Sequence, residues 1–203
     1  MSKEIFPVLY DHYKDTCNGI TDLVKKRDYI MVYIVVAITI FSFQILSPTL
    51  SNQMINDIAG FKFGLKFDLN LKIIGSITWL VLLLFVIRYF QIAVFIERRY
   101  KYMHQLEDNL NKYIGRDIIV REGKHYLNKY PWFLTWLWLL YTLMFPLLLY
   151  ILIYCKITNE WNTSYSHIGA SLLIDTLFFF VITVSIILYL IMLHLGRDKK
   201  TES

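Results

Sequence analysis

The sequence predicts an all-α membrane protein of four transmembrane helices, with both termini on the cytoplasmic side. Three observations predict it. Of 203 residues, 56% are hydrophobic and 18% charged, with a mean hydropathy of +0.45, outside the habit of soluble domains. Four apolar runs, 29–46, 73–95, 132–154 and 168–195, are each long enough at about 1.5 Å per residue to cross roughly 30 Å of hydrocarbon. Finally, the basic residues gather on one side of the topology these runs impose. This composition excludes a disordered chain. The formal net charge of +5 is too small an excess to predict nucleic-acid contact.

Residues 1–28 come first. Leu9, Tyr13, Cys17, Ile20 and Val24 recur at three- and four-residue spacing, with Lys14, Asp15, Asn18, Asp22 and Lys25 largely elsewhere on the wheel. Pro7 suits a first helical turn, where its missing N–H costs nothing. An amphipathic cytoplasmic helix follows, either lying in the membrane interface or packed on the bundle. No signal-peptide cleavage pattern follows the first run, so that run is expected to be retained.

The chain reads as one membrane domain: residues 29–155 hold spans one to three, 156–195 a second outer loop and span four, and 196–203 a tail. In the first outer loop, 47–72, Pro48 ends the first span and one or two helical turns are expected over 49–58. There Phe61, Phe63, Leu65, Phe67 and Leu69 alternate with Lys62, Gly64, Lys66, Asp68 and Asn70, a two-residue period that predicts a short extended segment.

Span two is expected to run on into a cytoplasmic helix within the region 97–131. Ile92, Ile96, Arg99, Met103, Leu106, Leu110 and Tyr113 alternate steps of four and three, a heptad seam ending near Gly115 as a C-cap. Such a seam has two possible partners: the same residues of another copy, in a homo-oligomer, or the chain's own N-terminal helix. Arg116, Arg121, Lys124 and Lys129 then form a basic patch for lipid headgroups or an acidic protein partner, which is also the composition of an ordinary cytoplasmic loop.

Span three opens on Trp132, Trp136 and Trp138 and closes near Tyr150 and Tyr154, an aromatic belt that sets its depth. Pro146 is expected to release the carbonyl of Thr142 and kink the helix. In orientation, sixteen of the 21 Lys and Arg fall in the N-terminal segment, the central region and the tail. Only Lys62, Lys66, Lys72 and Lys156 fall opposite. By the positive-inside rule, both termini and the central loop are expected to be cytoplasmic in a multi-pass membrane protein.

Three polar residues within the spans stand out: Arg88, Asp175 and Gln44. A charge at the centre of a span costs at least about 2.5 kcal/mol on insertion scales, so each asks for a reason. Arg88 is near enough to the cytoplasmic end to snorkel. Asp175 and Gln44 sit at similar depth near the outer end and are expected to pair, as a polar contact or the mouth of a permeation path. Arg88 and Asp175 lie too far apart in depth to bridge.

Catalytic and metal motifs are missing: no H-E-x-x-H, G-x-S-x-G, P-loop or zinc-spaced Cys/His set occurs, so neither an enzyme nor a cofactor is expected. Cys17 and Cys155 fall on opposite sides and are not expected to bridge. In the order of these elements, and in segments such as FIERRYKYMHQLEDNLNKY and REGKHYLNKYP, the chain resembles the small four-span membrane subunits of bacterial anti-phage defence systems, such as the Kiwa membrane subunit. More loosely it resembles the membrane effectors of retron and cyclic-nucleotide systems. The resemblance implies an oligomeric membrane sensor or effector coupled to a cytoplasmic partner. A small oligomeric ion channel and a non-catalytic accessory subunit are the alternatives.

Overall fold

The computed structural model describes residues 5–47, 49–51, 53, 54, 71–116, 132–164 and 169–198. Among these, α1 (Ile5–Leu46), α2 (Leu71–Ile114), α3 (Trp132–Leu139), α4 (Phe145–Ser164) and α5 (Ala170–Asp198) are α-helices, and no strand occurs. A π-helical turn, Leu140–Met144, joins α3 to α4. The expected extended segment at 61–70 lies outside the described residues, as do Arg121, Lys124 and Lys129; the start of the turn expected after Pro48 is helical at 49–51.

Four helices are long and apolar enough to cross a membrane, as the hydropathy predicted. Their surfaces fit that solvent. In the most apolar stretch of α5 only 17% of residues are buried, and Leu177, Phe180 and Leu188 are each more than half exposed. An apolar surface of that extent on a folded chain requires lipid or another protein against it. The hydroxyls comply too: Thr39, Ser42, Thr78, Thr158, Thr183 and Ser185 each donate to the carbonyl four residues back, at 2.7 to 3.0 Å. Such self-bonding satisfies a hydroxyl where no water reaches it.

The helices divide into two compact units. The first comprises residues 1–30 and 89–140. Here the N-terminal half of α1 lies along the C-terminal half of α2 and buries Tyr13, Ile20, Met103, Leu106 and Leu110, with Phe6, Leu9, Cys17 and Val24 packed on them. The heptad seam is therefore occupied from within the chain. Ile96, Met103, Leu106 and Leu110 are 0 to 7% exposed, while Tyr113 stays open on one side and stacks on Phe6. Of the two partners expected for this seam, the chain's own N-terminal helix is the one seen packed on it, and an amphipathic stripe on α1 does so at no cost in association entropy. Of the two readings of the N-terminal helix, the packed one is seen: over residues 5–28 the apolar face turns to α2. Gly115 ends α2 at φ 71°, donating to Asn111 O at 2.9 Å, the left-handed cap expected of it.

The second unit comprises residues 31–88 and 141–203. Ile34, Leu82, Val86, Leu149, Ile153 and Ile182 are almost wholly buried there, from the C-terminal part of α1, the N-terminal part of α2, α4 and α5. Span three proves longer than predicted. The outer loop expected from Lys156 is helix as far as Ser164, because Ile153 and Ile157 continue the buried face past Tyr154. Pro146 is buried, and the π-helical turn ends two residues before it. A widened turn gives the pyrrolidine ring room against the preceding carbonyls, so the expected kink site takes this form.

Candidate functional site: a buried charged cluster

Near one end of the second unit, the four spans each contribute polar side chains to one cluster. Lys156 on α4 is 6% exposed, Asp175 on α5 is 5% and Gln44 on α1 is 7%. Lys156 Nζ donates to Gln44 Oε1 at 3.0 Å and pairs with Glu160 Oε1 at 3.2 Å. Its charge also lies 5.3 Å from the centre of the Phe41 ring, a cation–π contact. Glu160 accepts a hydrogen bond from Trp79 Nε1 on α2 at 3.2 Å. Ser76, one turn before Trp79, hydrogen-bonds Asp175. The Trp79 ring packs 4.9 Å from Phe41, so an aromatic floor underlies the charges.

Local sequence explains the placement. Lys156 and Glu160 are spaced i, i+4 on α4 and so share one face, the same face that buries Ile153 and Ile157. Ser76 and Trp79 are i, i+3 on α2 and project together. Asp175 lies one turn from Leu172, which is also buried.

Of the residues singled out from the sequence, Gln44 and Asp175 meet here, but through intermediaries. Gln44 gives its oxygen to Lys156, and the charged neighbours of Asp175 are Glu160 and Lys156. Asp175 Oδ1 and Gln44 Nε2 have no hydrogen-bond partner among the described residues. Arg88 is exposed on α2, nine residues beyond Trp79. Lys156 and Glu160 were missed because both fall beyond the aromatic end of span three and read as loop. Their i, i+4 spacing behind Ile153 was the available signal.

The first unit carries a second, smaller polar group. Tyr13 OH donates to Glu107 Oε1 at 2.9 Å, and Glu107 is 2% exposed. Burial, and then this bond to a carboxylate, push the Tyr13 phenol above its usual range. A phenol that holds its proton longer when folded makes stability fall as pH rises past about 10, where the unfolded phenol ionises. In a spectrophotometric titration Tyr13 is expected to ionise late, and Tyr13→Phe to remove that late step. A late step that survives the substitution would show that another tyrosine is responsible. Nearby, Cys17 Sγ donates to Met103 Sδ at 3.4 Å, and His12 Nε2 shares a 2.8 Å hydrogen bond with the Tyr102 hydroxyl. Both cysteines are free thiols, and no group of three or more metal-ligating side chains occurs among the described residues.

Of the basic patch, Arg116 is described and exposed, just past the cap of α2. Trp132 and Trp136 are exposed on α3, as belt residues at a bilayer surface are. No family model, no curated protein and no solved structure matches the chain.

Proposed function

We propose that this multi-pass membrane protein is a sensor or effector subunit of an anti-phage defence system in the bacterial inner membrane. In this reading both termini and the α1–α2 hairpin are cytoplasmic, and the chain acts as an oligomer coupled to a cytoplasmic protein partner. One observation carries the coupling: α1 and α2 are each unbroken, and both run from the packed hairpin into spans that bear cluster residues, Gln44 on one and Ser76 and Trp79 on the other. A partner that bends or separates the hairpin therefore acts on the helices that hold the charges. The sixteen-to-four basic bias supports the orientation, and burial of Lys156 takes one of the four opposing charges out of the loops. The resemblance to defence subunits supplies the setting.

The test is phage challenge of cells carrying the gene with its neighbours, with membrane potential followed in the same cultures. Plaquing is expected to fall at least about tenfold with depolarisation of infected cells, and neutralising Arg116, Arg121, Lys124 and Lys129 together is expected to abolish protection by removing the docking patch. Undiminished plaquing across a broad phage panel counts against the defence setting. Full protection by the neutralised variant counts against docking there. An ion channel is the second reading, favoured by a carboxylate oxygen left unpartnered at the end of the bundle. Ion flux from liposomes holding the purified chain would select it.

A further inference from the structure

We propose that Asp175 is a proton-binding site, and that the cluster of the second unit rests with one proton bound there. The proposal stands on the buried cluster and is independent of the defence setting. Two carboxylates, Glu160 and Asp175, face one ammonium, Lys156, so the ionised cluster carries one uncompensated negative charge. Lys156 is already committed: it lies 3.2 Å from Glu160, donates to Gln44 and covers the Phe41 ring. Among the described residues Asp175 has the neutral Ser76 as a hydrogen-bond donor, is 5% exposed, and presents a buried Oδ1 that has no hydrogen-bond partner.

The groups facing it decide which cation resolves the imbalance. From α4 they are Lys156 and Glu160; from α2, Ser76 and Trp79; from α1, Gln44. Lys156 has no acceptor, so the Gln44 amide must turn its oxygen to the ammonium, which leaves its NH2 end toward the rest of the cluster. A metal cation gains nothing from that end and finds too few free oxygens, since hard cations take about six. A proton needs one oxygen, and a buried carboxyl whose neighbouring ammonium is already paired with a second carboxylate takes one in preference to staying ionised.

The experiment uses the full chain in lipid nanodiscs, with the thermal midpoint followed from pH 5 to 9 in sodium chloride and again in choline chloride. A folded state that holds an extra proton loses stability as pH rises. Asp175→Asn removes the surplus charge and with it that dependence. The midpoint of the native chain is expected to fall relative to Asp175→Asn by about 3 °C or more between pH 6 and 9, equally in both salts. Glu160→Gln also leaves one acid against Lys156 and is expected to flatten the curve in the same way. The infrared carbonyl band of a protonated carboxyl group, measured on the native chain, gives a readout that needs no variant; it is expected at neutral pH and should be lost on alkalinisation. Parallel curves for native and variant chains, a midpoint raised by sodium and not by choline, or no such band at neutral pH would each overturn the proposal.

Discussion

Lys156→Met is expected to destabilise the protein by about 3–5 kcal/mol, the largest single effect in the molecule. The Lys156 side chain is 8% exposed and is the positive member of a buried cluster, so its loss leaves the Glu160 carboxylate without its cation, beside Asp175. Coulomb attraction between the pair is not the measure of the loss. Desolvation of the Glu160 carboxylate has already been incurred, and nothing then offsets it. Protonation relieves part of the cost, so the deficit should be smaller at pH 5 than at pH 8. Adding Glu160→Gln should restore most of the stability, since a buried ion pair replaced on both sides is often neutral or better. Thermal unfolding in nanodiscs checks both. If the double variant is no more stable than Lys156→Met, the cluster is held by packing rather than by charge.

Leu110→Ala is expected to cost about 2–5 kcal/mol, and to cost it locally. Leu110 is fully buried in the first unit, where it packs with Met103, Leu106, Tyr13 and Ile20. Removing three heavy atoms there opens a cavity in a two-helix core that has few other contacts to share the loss. Hydrogen exchange should therefore lose protection in residues 5–30 and 89–114 while residues 31–46 and 145–190 keep theirs, because proteins open in contiguous packed units. Equal loss throughout would show that hairpin and spans open as one. The predicted contrast also matters for the proposed coupling. A partner is able to work a hairpin only if the hairpin can open at less cost than the bundle.

The spans were legible because lipid imposes one requirement, a long apolar helix, that composition alone reveals. The seam on α2 was legible for a similar reason, since steps of three and four from Ile92 to Tyr113 mark a buried stripe. Which stripe would meet it was not. Tyr13, Cys17 and Ile20 show the matching periodicity on α1, but a period states that a partner exists and is silent on which chain supplies it. In the cluster, Asp175 and Gln44 stood out as polar residues inside apolar runs. Lys156 and Glu160 did not, because they follow the apolar run of span three, and a charged residue past the end of a span is what any loop contains. Only the continuation of α4 to Ser164 brings them inside. Ser76 and Trp79 gave no warning, for both are at home in a membrane helix until a carboxylate lies opposite.

The serine and threonine bonds within the spans have a mechanical side. Hydroxyls at Thr39, Ser42, Thr78, Thr158, Thr183 and Ser185 are spent on their own helices, so at those levels one span is not fastened to the next by them. A small slide or roll of neighbouring helices there breaks no hydroxyl bond and exchanges one set of dispersion contacts for another. Around Lys156 the same slide would pull the ammonium from the Gln44 amide and the Trp79 indole N–H from the Glu160 carboxylate. Resistance to shear is therefore unequal along the bundle, stiff where the charges interlock and lubricated at the levels of those hydroxyls.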